Sequence, residues 1–258
     1  MSRKVAVISG GASGIGAACV DEFLANGWDV ALNYYLEAEQ PAVSRWEAVA
    51  RERRAALLAI QGDVTVDADC RRVAEATRAK FGRIDALVCS AGYSRLVPHQ
   101  DLDALQFEDF TKTMAVNTAG PFQMARACAP ALAEGDGGAI VIVSSYGAIH
   151  GTGSSIAYAA SKGATNTLTM SLARVLAPKI RVNAVCPALV AGGFVERLDP
   201  QLFEQRAKLQ SEQAPLKKIA QPAEVARNIF WLAAGDTLMT GSIFNLDCGL
   251  HLNGDARR

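Results

Sequence analysis

Short runs of consecutive apolar residues alternate along this chain with longer stretches in which apolar side chains recur at helical spacing. The runs fall at 5–9, 28–34, 55–64, 84–92, 138–145, 179–188 and 241–249. Runs that are apolar at nearly every position, rather than at every second one, predict strands buried on both faces. Helical periodicity occupies 15–26, 39–54, 66–81, 107–132, a stretch from 157 onward, and 222–234. Strands alternating with helix-length segments predict an α/β chain: a doubly wound parallel sheet of about seven strands flanked by helices, in one domain spanning 1–258. The segment 191–213 departs from this rhythm, being polar with scattered large apolar side chains, and is expected to form a substrate lid.

Composition supports one buried core, with 50% hydrophobic and 20% charged residues among 258. The 26 basic and 26 acidic side chains cancel, so no overall field draws the protein to a polyanion and no nucleic-acid partner is expected. No apolar run reaches membrane-spanning length, and the opening MSRKVAVISGG lacks the long apolar stretch of a signal peptide, so no membrane partner is expected. The six cysteines are scattered within apolar runs, which predicts buried thiols, a reducing compartment and a cytoplasmic location. His99, His150 and His251 stand at no ligand-like spacing, so no metal is expected.

The first strand-to-helix junction reads SGGASGIG, from Ser9 to Gly16. Gly10, Gly14 and Gly16 allow a tight turn and close approach to a pyrophosphate, with the amides after Ser13, including that of Ile15, opening the helix toward it. The spacing is G-x-x-x-G-x-G, which a plain turn also fits; its place at the first junction favours a nucleotide. The second strand ends at Asn33, Tyr34 and Tyr35 with no carboxylate at its tip to hold both ribose hydroxyls of NAD, and Glu37 comes late. NADP is therefore favoured over NAD, although no cation adjoins the turn and Arg45 and Arg51 lie in the next helix. Asp63 and Val64 close the third strand, and Ser90, Ala91 and Gly92 the fourth, so a parallel sheet brings them to the same crevice. Asp63 there either accepts from an adenine amino group or caps its own loop, and Gly92 either clears space for adenosine or serves a turn.

Tyr158 and Lys162 are four residues apart and share a helix face, as surface pairs often do. An ammonium beside a phenol favours the phenolate and lowers its pKa from about 10, which suits a general acid and base. Ser145 ends an apolar strand and is expected to hold a substrate carbonyl, while Ser144 is expected to bond backbone. A serine hydrolase is disfavoured because IVSSYG lacks the G-x-S-x-G elbow and His150 has no evident orienting acid.

Together these features resemble the classical short-chain dehydrogenase/reductase family over essentially the whole chain. The resemblance implies a Rossmann fold and an active-site tetrad of Asn117, Ser145, Tyr158 and Lys162, with thirteen residues separating Ser145 from Tyr158. It implies hydride transfer between NAD(P) and a carbonyl or secondary alcohol, Lys162 on the nicotinamide ribose, and a water on Asn117 linking Lys162 to solvent. Pro187 and Val190 would flank the nicotinamide carboxamide. Three positions depart from the family pattern: Ser90 replaces the usual asparagine, Ala188 a common glycine, and Gly192 a frequent threonine. Among members, 3-oxoacyl-(acyl carrier protein) reductases are closest in character, with sugar or polyol dehydrogenases the alternative. The contrasting class is a dinucleotide-binding regulator without turnover, against which the complete tetrad argues. Tyr93, Leu96, Tyr146, His150, Ser154 and Ser155 are expected pocket walls. Family members usually form homotetramers through helices corresponding to 107–131 and the one after Tyr158, so a homotetramer is expected.

Overall fold

The apolar runs bury both of their faces. In β1 (Val5–Ser9), Ala6 and Ile8 join one core cluster and Val7 the other, as the two-residue period of a strand requires. The computed structural model describes residues 3–235 and 237–253, so both ends of the expected 1–258 domain lie outside the described residues. With β1, the strands β2 (Asp29–Tyr34), β3 (Leu57–Gln61), β4 (Ala86–Cys89), β5 (Gly138–Val143), β6 (Ile180–Pro187) and β7 (Ile243–Leu246) make one seven-stranded sheet. Its order is β3-β2-β1-β4-β5-β6-β7, and each neighbouring pair is parallel.

Helices cover both faces. They are α1 (Gly14–Ala25), α2 (Gln40–Glu52), α3 (Asp67–Phe81), α4 (Phe107–Met114), α5 (Gly120–Leu132), α6 (Gly147–His150), α7 (Ile156–Leu176), α8 (Phe194–Leu198), α9 (Pro200–Gln213) and α10 (Pro222–Ala234). Phe23 of α1, Val43 of α2 and Ile229 of α10 fill one side, and Val73 of α3, Met124 of α5 and Leu172 of α7 the other. Ile8, Ile140 and Ile142 are fully buried between these layers, each contributing roughly 1.5–3 kcal/mol relative to exposure. Strand order reverses between β1 and β4, which opens a crevice at the carboxyl ends of the sheet.

The expected single helix over 107–132 is divided. A π-helical turn, Ala115–Ala119, separates α4 from α5. Pro121 has no N–H to give the carbonyl four residues earlier, that of Asn117, so the regular ladder fails there. The Thr165 hydroxyl from α7 donates to that carbonyl instead, at 2.9 Å. The segment 191–213 is mostly helical: Asp199 caps α9 by accepting from Leu202 N at 2.9 Å, and Pro200 occupies its first turn.

Candidate active site

The carboxyl ends of the strands enclose a cavity of about 2440 Å³. That exceeds the roughly 300–1,000 Å³ of a site for one drug-sized ligand, leaving room for an extended cofactor and a second molecule. Gly10, Ser13, Gly14, Ile15, Asn33, Tyr35, Asp63, Val64, Ser90, Ala91 and Gly92 line one end. Ser145, Tyr158, Lys162, Pro187 and Val190 line the other.

Close packing dictates the glycine turn. Gly10 has φ 65°, and a Cβ there would lie 2.7 Å from Ala91 Cα; one on Gly16 would lie 2.1 Å from Gly10 O. Gly16 is therefore buried support for the turn, outside the cavity lining. Ser9 is support as well: its buried Oγ accepts from Ser90 N and Ala91 N at 3.2 and 3.3 Å, tying the ends of β1 and β4 together. These features leave backbone amides and open space where a dinucleotide's pyrophosphate fits. Arg197 Nη1 lies 3.9 Å from where a Cβ on Gly14 would stand, and donates to Gly192 O at 3.2 Å. Glu196 accepts from Gly192 N, so α8 side chains hold both polar groups of the residue that replaces the family's threonine.

At the tip of β2 the structure alters the expected picture. Asn33 Nδ2 donates to Gly62 O at 3.0 Å and Ile60 O at 3.3 Å, so this side chain braces β2 against β3. Tyr34 lies outside the cavity lining, its hydroxyl donating to Gln40 Oε1 at 2.7 Å, whereas Tyr35 lines the cavity. Glu39 also lines the cavity: its Oε2 accepts from Tyr35 N at 3.1 Å and Leu36 N at 3.0 Å. A carboxylate does therefore serve this strand end, five residues beyond Tyr34, having folded back to bond the amides that the strand leaves open. Arg45 and Arg51 are not in the lining. Asp63 uses Oδ1 to accept from both the amide and hydroxyl of Thr65, each at 2.8 Å, so the loop-capping role is present beside its place in the cavity wall.

The chemical end is built by β5, α4–α5 and α7. Ser155 caps α7 by accepting from Tyr158 N at 3.2 Å and is absent from the cavity lining, while Tyr93, Leu96, Tyr146, His150 and Ser154 line it as expected. Ser144 Oγ donates to the backbone carbonyl of Lys162 at 3.2 Å, as expected of it. Ser145 Oγ accepts from Gly147 N at 3.1 Å, which leaves its own proton free to donate. Lys162 is buried, with Nζ donating to Val143 O at 2.8 Å and standing 5.8 Å from the Tyr158 ring centroid.

The titration of this pair differs from the expectation. Burial raises the Tyr158 phenol above its ordinary value, and the Ser145 hydrogen bond opposes it only partly. Burial also holds Lys162 down to about 8, so the same desolvation that keeps the phenol neutral weakens the ammonium meant to lower it. Asn117 is fully buried and braced: Oδ1 accepts from Tyr93 N at 2.8 Å, and Nδ2 donates to Tyr93 O at 2.9 Å and Ser161 Oγ at 3.0 Å. It joins the loop after β4 to α7, outside the cavity lining.

Sequence comparison places this geometry among known proteins. A family profile described as enoyl-(acyl carrier protein) reductase matches residues 10–251. The 2-(R)-hydroxypropyl-CoM dehydrogenase of Xanthobacter autotrophicus is 36% identical over 253 residues, covering 96% of this chain and 98% of that one. A crystal structure from Burkholderia xenovorans, assigned to the short-chain dehydrogenases/reductases, shares 41% identity at a TM-score of 0.90, over 98% of this chain and 99% of that one. The structure of ElxO with NADP bound shares 27% identity at a TM-score of 0.86, over 98% and 100% of the respective chains.

Proposed function

Because this chain belongs to the short-chain dehydrogenase/reductase family, we propose that it moves a hydride between NAD(P) and a ketone or secondary alcohol, with Tyr158 as the proton donor and acceptor. The observation that carries this reading is the meeting of Ser145, Tyr158 and Lys162 in one cavity with the glycine turn. The turn, the β4 end and Arg197 would hold the pyrophosphate side of the cofactor, and Pro187 to Val190 its nicotinamide side. The nicotinamide supplies or takes the hydride when bound. In reduction, Ser145 donates a hydrogen bond to the carbonyl oxygen, and Tyr158, kept protonated by its burial, delivers a proton as negative charge develops there. Lys162 reprotonates or stabilises the phenol's anion afterwards, and Asn117 keeps α7 in register with the cavity. A relay water would use the second lone pair of the Asn117 carbonyl, the first being held by Thr165. NADPH- and NADH-dependent reduction of a panel of ketones, followed by loss of cofactor absorbance, tests the reading; binding of both cofactors with no turnover would favour the regulator instead.

Cofactor choice turns on Glu39. One of its oxygens is engaged by two amides, and the other is available to a ribose hydroxyl. A 2'-phosphate at contact range from this carboxylate meets a repulsion of about 1–4 kcal/mol, while a hydroxyl meets an acceptor. The strand tip thus tolerates NADPH less freely than its lack of an immediate carboxylate suggests, although a NADP-bound relative shares the fold. Glu39→Gln keeps an acceptor for the two amides and removes the charge. The ratio of NADPH to NADH affinity, measured by cofactor fluorescence, is expected to rise about tenfold in that variant; an unchanged ratio would remove Glu39 from the selection.

The substrate lid is α8 with α9, both contributing to the cavity wall. Exposed Phe107, Phe122, Met170 and Val175 on α4, α5 and α7 support a homotetramer formed through those helices. Six free cysteines support a cytoplasmic setting.

A further inference from the structure

Among the described residues, two buried side-chain polar atoms lack a hydrogen-bond partner, His99 Nε2 and Gln210 Nε2, and both residues line the catalytic cavity. A buried donor that the protein itself leaves unmatched is met by an ordered water, an ion or a ligand. Gln210 is the more informative. Its Oε1 accepts from Leu189 N at 3.1 Å, two residues beyond Pro187, which sets the amide's orientation and pins α9 to the end of β6. The NH2 group is thereby committed to donate.

Arg206 lies one turn earlier on the same face of α9, lines the same cavity, and has no hydrogen bond or ion pair among the described residues. Asp199 caps α9 through Oδ1, and Asp247 holds Nδ1 of His251 at 2.8 Å. His251 lines the cavity too, on the short 3-10 turn Leu250–Asn253 that packs against α9. The Gln210 amide and the Arg206 guanidinium are donors with one positive charge between them, which favours an anionic acceptor over an amine. A neutral acceptor would satisfy Gln210 and leave the guanidinium unanswered.

Building on the reductase reading, we propose that the substrate carries a carboxylate-like anionic group, which Arg206 and Gln210 bind on the inner face of α9 while its ketone faces Tyr158. The two residues act in specificity, and proton transfer stays with Tyr158.

Calorimetric titration of the protein saturated with NADP+, using a homologous series of oxo acids and the methyl ester of each, tests this. At the best-fitting chain length the acid is expected to bind about tenfold or more tightly than its ester. Arg206→Gln, and separately Gln210→Glu, which keeps an acceptor for Leu189 N, are expected to erase that preference by weakening the acid. Esters that bind as well as acids throughout the series would overturn the proposal, as would an Arg206→Gln variant that weakens acid and ester equally. Binding rather than turnover is the readout, so an acid that is preferred yet never reduced supports this assignment and counts against the reductase reading.

Discussion

Tyr158→Phe is expected to lose about 10²–10⁴-fold in kcat while binding NAD(P)H within about threefold of the unaltered chain. The substitution removes one oxygen and leaves the ring that fills the cavity wall. Without the phenol, the developing alkoxide receives a hydrogen bond from Ser145 but no proton from the protein. The direction of the phenol's shift sharpens the expectation: burial raises it, so the protein's own groups keep Tyr158 a donor at neutral pH. Reduction should hold constant across the neutral range and decline only in alkaline solution as the donor ionises. Oxidation, which needs the phenolate, should rise with pH over the same span. Steady-state rates in both directions against pH, alongside fluorescence titration of cofactor, check this; an active phenylalanine variant would move proton transfer to another group.

Lys162→Met is the second large effect, and it separates activity from stability. Turnover should fall by at least about 10²-fold, because no cation then adjoins the phenol or the cofactor ribose. Stability should behave in the opposite sense to what loss of an ion suggests. Lys162 is buried against Val143 O, and burial depresses its pKa from 10.5 to about 8. Between those values the unfolded chain binds the proton that the folded chain has released, so folding of the unaltered protein is favoured as pH rises. Relative to the methionine variant, the unaltered chain should gain roughly 3 kcal/mol from pH 8 to 10.5 and change little below 8. The comparison matters because other groups titrate there as well: burial lifts the Cys19 thiol in both chains, which lowers the alkaline stability of each alike. Urea unfolding of the two proteins at a series of pH values measures the gap; a gap independent of pH would mean that the folded lysine titrates like a free one.

Much of the architecture was readable because it is local. A run such as Val5–Ser9 is apolar at both strand faces, and only a sheet covered on both sides accommodates that. The glycine turn and the Tyr158–Lys162 spacing were likewise legible, since each sits within one turn or one junction. Apolar periodicity runs unchanged through the break between α4 and α5, so the periodicity alone does not show it, whereas Pro121 and the buried polar Asn117 mark where it falls. Glu39 is hidden from the sequence for a different reason. Its carboxylate reaches back to amides at positions 35 and 36, and that return is set by the short 3-10 turn Glu37–Glu39, not by proximity to the strand tip. The raised phenol required burial around both members of the pair, and spacing along a helix carries no information on that. The role of Gln210 depends on where α9 docks over the sheet, a tertiary fact with no signature in the helix itself.

Hydride transfer to the carbonyl carbon leaves an isotopic record in the product. The protein would be incubated with a ketone that it turns over and NAD(P)H carrying deuterium at the transferring position of the nicotinamide, and the alcohol analysed by mass spectrometry. One deuterium is expected on the carbinol carbon, delivered to one face, with labelled alcohol from the Tyr158→Phe variant only in proportion to its residual turnover. Alcohol formed without deuterium at that carbon from either labelled face, or tight cofactor binding with no alcohol from any ketone, would contradict hydride transfer by this protein.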